Sequence, residues 1–173
     1  MNKKRLFTIF ISLVLISSCI LLFKLYNENH SLKNYQGTKI HDNILNISGT
    51  LYDAKKDLSD SNISKLHRYY WQFNEFSKLD LPHLIIAYST DIRNEYAELL
   101  RLNESNSSQK EINEVKNRLE LKLSKFHSAL SLIMKECLSN NNMKFYSLNS
   151  EGNTTMNHAL KILTEENSGS NKK

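Results

Sequence analysis

Residues 108–138 read SQKEINEVKNRLELKLSKFHSALSLIMKECL. Within them Ile112, Val115, Leu119, Leu123, Phe126, Leu130, Ile133 and Cys137 recur at steps of three or four. At about 3.6 residues per turn, that spacing gathers them on one helix face. The steps leave a strict heptad only between Leu119 and Leu123, so the stripe has coiled-coil character without being a perfect seam. Ser108 and Glu111 stand where a capping box needs them, each side chain satisfying a free amide of the other's residue. The run Asn140–Asn142 is the expected stop. A helix of about 30 residues, roughly 45 Å long, is therefore the expected spine of the fold.

Upstream, Asp80-Leu81-Pro82 marks a boundary, with Pro82 suited to a first helical turn and Asp80 or Leu81 to its cap. The segment after it carries Leu84, Ile85, Tyr88, Ile92, Tyr96, Leu99 and Leu100 at helical spacing. Before it, Ile63, Leu66, Tyr69, Tyr70, Phe73 and Phe76 share an arc of roughly 140° on a helix running to about Leu79. Ser59–Asn62 supplies a stop and several candidate caps. Further back, Ile40, Ile44, Ile47, Leu51, Ala54 and Leu58 make another stripe, interrupted by Gly49, which costs about 1 kcal/mol relative to alanine. Toward the C-terminus, 143–153 reads as a loop or short extended piece. Thr154 or Thr155 then caps a helix with Met156, Ala159, Leu160 and Leu163 facing inward. The expectation is an all-α fold: an antiparallel helical bundle of about four to five helices following an N-terminal transmembrane helix. Composition agrees, since one proline and four glycines are too few for sheets joined by tight turns.

That membrane helix is read from Leu6–Phe23, 18 residues without a charge, bounded by Lys3-Lys4-Arg5 and Lys24. Its length of about 27 Å matches a hydrocarbon core. Cations ahead of the span predict a cytoplasmic N-terminus and an extracytoplasmic remainder. Three processings compete. An uncleaved anchor is expected, because Ile20–Phe23 continue the apolar run past any cleavage point. Alternatively, Ile16-Ser17-Ser18-Cys19 resembles a bacterial lipobox, making Cys19 a candidate for lipidation. The third is an ordinary cleaved signal peptide. The domain boundaries then read 1–5 basic N-terminus, 6–26 span, 27–38 polar juxtamembrane linker, 39–166 extracytoplasmic bundle and 167–173 tail.

The net charge of +5 does not indicate nucleic-acid binding. Removing Lys3, Lys4, Arg5 and Lys24 leaves 19 cations against 18 acids, interspersed and without a basic patch. None of the six histidines forms HExxH or lies three or four residues from another, no Glu-x-x-His occurs, and no GxSxG or phosphate loop exists. Asp91, Glu95 and Glu98 read as a solvated face of the third helix. No catalytic residue, metal or cofactor is implied. Cys137 reads as a small buried hydrophobe.

The passage His67–Phe76, HRYYWQFNEF, is the richest in aromatics. Most of it fits one buried face, but Trp71 falls roughly 160° from Phe73 and points elsewhere. Arg68 and Trp71, three apart, are helix neighbours able to form a cation–π pair or a joint contact. They are the candidate partner-binding residues, since exposed Trp beside Arg is hot-spot composition. The expected function is therefore non-enzymatic: a single-pass, membrane-anchored envelope protein whose bundle binds a protein partner or stabilises a membrane complex, with homo-oligomers possible. The alternatives are a small-ligand sensor acting through a membrane partner, as only five residues precede the span, and an immunity or inhibitor protein against an envelope-acting toxin. The near-neutral domain gives the last no support.

Overall fold

The computed structural model describes residues 3–58, 62–105, 107–138 and 143–165, without the side chains of residues 3–6, 8 and 143. The expected breaks at Ser59–Ser61 and Asn140–Asn142, the side chains of Lys3, Lys4 and Arg5, and the tail at 167–173 lie outside the described residues. Six helices follow one another: α1 (Lys3–Asp57), α2 (Ile63–Phe76), α3 (His83–Glu104), α4 (Gln109–Leu138), α5 (Met143–Ser147) and α6 (Thr154–Thr164). Among the described residues there is no strand. The fold is all-helical.

The spine is as the periodicity requires. α4 is 30 residues long and buries Ile112, Val115, Leu119, Leu123, Phe126, Leu130, Ile133 and Cys137, with Ala129 added. Its start carries the reciprocal cap. The Glu111 N–H donates to Ser108 Oγ at 3.3 Å, while the Ser108 N–H donates to Glu111 Oε2 at 3.0 Å. α3 packs on α2 and α4, and α1 packs on α4 and α5, with a smaller contact to α2. α6 lies on α4. All contribute to one apolar cluster.

The linker expected at 27–38 is not a break. α1 runs through it for 55 residues in all, about 82 Å. The reason is cooperative: nucleation is the costly step of helix formation, and here a helix exists on both sides of the polar stretch. Polar side chains in water do not interrupt propagation, and proline is absent from the segment. Lys24 and Glu28 add an i,i+4 pair at 3.9 Å. Gly37 and Ile40 are already buried, so packing begins inside the supposed linker.

Other departures sit at helix ends. Pro82 itself occupies the cap of α3, its carbonyl accepting from the N–H groups of Ile85 and Ile86 at 2.9 and 3.2 Å; neither Asp80 nor Leu81 does so. Residues 143–153, read as loop or extended, contain α5, whose Phe145 is buried edge-on against the His41 ring at 4.9 Å. Asn153, not Thr154 or Thr155, caps α6 through Oδ1 accepting from the Met156 N–H at 3.0 Å. The turn before it uses Gly152 at φ 74°, a conformation costly for residues with a Cβ. Ile63, the first residue of α2, and Leu160, beside the face of α6 that buries Ala159 and Leu163, are expected inward and are exposed.

Leu119 and Leu121 are two residues apart on α4, one 0% and the other 40% exposed. Leu119→Ala is expected to cost about 2–5 kcal/mol and Leu121→Ala less than about 0.5 kcal/mol. Chemical denaturation of the two variants checks the direction of the α4 face.

Candidate functional site

The aromatic block of α2 divides as its helical phase dictates. Leu66, Tyr69, Phe73 and Phe76 are buried. Phe73 stacks on Tyr96 of α3 at 5.9 Å between centroids, and Tyr69 lies 5.8 Å from the same ring. Burial pushes the Tyr96 hydroxyl far above its ordinary pKa, so it stays neutral. Trp71, on the opposite face, is 58% exposed. It packs edge-on against Tyr70 at 5.4 Å. With Asn46 of α1 and Gln72, Glu75 and Phe76 of its own helix, it lines a recess of about 320 Å³.

Arg68 does not join Trp71. Its guanidinium lies over the Tyr69 ring, 4.6 Å from the centroid, and donates to Asp57 Oδ2 at 3.1 Å. The Tyr69 hydroxyl donates to the same Asp57 oxygen at 2.7 Å, and Lys65 Nζ donates to Oδ1 at 3.0 Å. Asp57 is the last residue of α1, so this cluster closes the corner between α1 and α2. Hydrogen bonds from Tyr69, then Lys65, hold the Asp57 carboxyl below its usual range. Arg68 keeps a half-exposed side chain, with its orientation fixed by the corner.

Of the three acids of α3, Asp91 and Glu98 keep side chains 47% and 42% exposed, as a solvated face requires, while Glu95 does not. Glu95 is buried. Its Oε2 accepts from Arg118 Nε and Nη2 at 3.3 and 3.2 Å, and its Oε1 from Lys122 at 2.7 Å. Lys122 also meets Asp91 at 2.8 Å, and Arg118 meets Glu98 at 2.7 Å. Five charges thus lock α3 to α4. Every member is satisfied by another, which suits a structural clamp rather than a site awaiting substrate.

A second concavity escaped the sequence reading. Leu51, Tyr52, Lys55 and Lys56 of α1 face Glu120, Ser124, His127 and Ser128 of α4 across an open groove of about 520 Å³. The only signal for it was that these residues flank the two buried stripes, and pairing them required knowing that α1 crosses α4. Cys19 is exposed on the apolar part of α1, and Cys137 is buried, its thiol pushed up by burial. Among the described residues no group of three or more His, Cys, Asp or Glu is placed to hold a metal.

The Asp57 corner has a pH signature. A carboxyl depressed in the folded state contributes its full stabilisation above its unfolded value, and loses it as pH falls through the folded value. The ordinary value for Asp57 is 3.8, so the denaturation midpoint should hold between about pH 7 and pH 5 and decline below about pH 4. Asp57→Asn should lower the neutral-pH midpoint and flatten this acid limb. Glu111 and Glu136, also depressed by hydrogen bonds from Ser108 and Thr155, leave a residual slope.

No family model matches the chain, and comparisons with curated proteins and with solved structures find no match.

Proposed function

We propose that this chain is a non-enzymatic, single-pass membrane protein whose extracytoplasmic antiparallel helical bundle binds a protein partner through the surface around Trp71. One helix, α1, is long and apolar enough to cross a membrane, and its most apolar 18-residue window is wholly exposed. Exposed apolar surface of that extent needs lipid or another cover. The cations Lys3, Lys4 and Arg5 ahead of it favour a cytoplasmic N-terminus.

The observation that carries the partner reading is Trp71 itself. A largely exposed Trp lining a recess, edge-on against half-buried Tyr70, is an aromatic anchor with adjacent polar groups. The surrounding polar side chains, Asn46, Gln72 and Glu75, form the kind of rim that interfaces use. With a photo-reactive residue at position 71, crosslinking in native membranes should give one discrete adduct, absent when the residue sits at Glu114. Trp71→Ala should keep the helical circular dichroism and weaken capture of that partner at least about tenfold, the size of a 1.4 kcal/mol hot spot. Loss of folding would assign Trp71 to packing and overturn the proposal.

A second reading is favoured by the α1–α4 groove. Its volume is in the range of small-ligand sites, and its lining pairs an apolar floor at Leu51 with Lys55, Lys56 and His127, against the acid Glu120. That combination suits an aromatic or aliphatic carboxylate. A screen of such acids should raise the melting temperature of the wild type, with the rise lost in Lys55→Ala/His127→Ala. A flat response across the screen removes the ligand reading.

A further inference from the structure

We propose that the near end of the helical domain, formed where α1, the α2–α3 connection and the segment after α5 meet, rests on the phospholipid headgroups of the bilayer that α1 crosses. This rests on the anchor reading above, but on neither orientation of the span.

The distance comes from helix continuity. The uncharged run ends at Phe23 and α1 continues without interruption to Asp57. The rest of the domain already reaches α1 at Lys33, whose Nζ lies 5.8 Å from the centre of the Tyr146 ring. Ten helical residues separate Phe23 from Lys33, a rise of about 15 Å. If Tyr26 marks the hydrocarbon edge, as tyrosines do, only about 10 Å remains, and a headgroup layer fills roughly 5–7 Å of it. A flexible linker would let the domain drift away. A helix does not.

The composition of this end fits that layer. Leu32, Tyr35, Gln36, Lys39 and Ile40 of α1 line a recess of about 350 Å³ with Asp80, Tyr146 and Asn149. Tyr26 and Tyr35 are 67% and 69% exposed, and Leu32 is exposed beside them. Aromatic rings with a polar tip belong at the headgroup level, and lysines bury their stems while meeting phosphate with the ammonium. Lys33 and Lys39 of α1 lie at this end with Asp80; Lys144 of α5 donates to the Glu136 carbonyl at 3.4 Å, and Lys24 and Lys78 are paired with Glu28 and Glu75. At the far end the described residues include the Asp57–Lys65–Arg68 corner and the His67–Glu104 pair, with Tyr52, Lys55 and Lys56 nearby on α1.

The test uses the full chain in phospholipid nanodiscs, with a fluorophore on single cysteines in a Cys19→Ser/Cys137→Ala background. Ile16→Cys reports the span, Asp80→Cys and Asn149→Cys the near end away from α1, and Glu104→Cys the far end. Circular dichroism checks each variant. The expected result is loss of most emission at 80 and 149 with headgroup-level quenching lipids, none at 104, and quenching at 16 by acyl-chain quenchers. A Lys33→Glu/Lys39→Glu variant should restore emission at 149. If 16 is quenched while 80 and 149 behave like 104, the anchor stands and this contact is overturned. If 16 is not quenched, the anchor reading fails and the contact with it.

Discussion

Helix propagation through residues 24–40 is the constraint on which the remaining geometry depends. α1 brings Ile40, Ile44, Ile47, Leu51, Ala54 and Leu58 into the core, each larger side chain contributing about 1.5–3 kcal/mol on burial. Those positions are phased to one face. A rotation of α1 by one residue would turn the exposed Leu45 and Tyr52 toward the core and displace the stripe. Because the same rod carries the apolar run, the phase that packing imposes on its second half is transmitted to its first. Gly49 weakens the rod by about 1 kcal/mol, yet it lies on the exposed face with nothing within 4 Å. Packing on the opposite face outweighs it.

The second constraint is the clamp between α3 and α4. Burying Glu95 has a desolvation cost that apolar residues at this position would avoid, and such clamps are seldom the strongest stabilisers of a fold. What this one supplies is register. Glu95 must meet Arg118 and Lys122 together, while Asp91 and Glu98 take the other ends of those cations. A slip of α4 by one turn would put Lys122 in the place of Arg118, or the reverse, and leave buried Glu95 with one cation instead of two. The apolar stripe of α4 is nearly periodic and would tolerate such a slip far better. The charges exclude it.

These particulars show what a linear chain discloses. The α4 stripe, its Ser108–Glu111 cap, the boundary near Pro82 and the outward direction of Trp71 are local, fixed by spacing within a few turns, and each was legible. What failed needed a partner from elsewhere in the chain. Polarity at 27–38 reads as a juxtamembrane linker because the segment that packs on this part of α1 lies more than a hundred residues away, in and beside α5. α5 itself is too short to announce itself by periodicity; Phe145 on His41 holds it. Glu95 looked solvated because Arg118 and Lys122 belong to another helix. Arg68 was given to Trp71 by sequence spacing, whereas the angle between α1 and α2 gives it to Asp57. Asn153 and the threonines beside it are all competent caps, and only the backbone at the Gly152 turn selects among them.

If Trp71 is the docking residue proposed above, its position relative to the apolar run narrows the kind of partner that fits. Trp71 shares its recess with Asn46, which is twenty helical residues beyond Tyr26, a rise of about 30 Å. With Tyr26 at the hydrocarbon edge, a protein that docks on Trp71 must reach that far from the bilayer. A partner consisting only of membrane helices and short loops does not, however well its span packs on α1. On the proposed reading, a partner docking on Trp71 would need a folded part of its own outside the membrane and would face α1 and α2 together, since both line the recess. Since the Asp57 corner is the cluster that joins those two helices, loosening it should disturb the docking surface without touching Trp71.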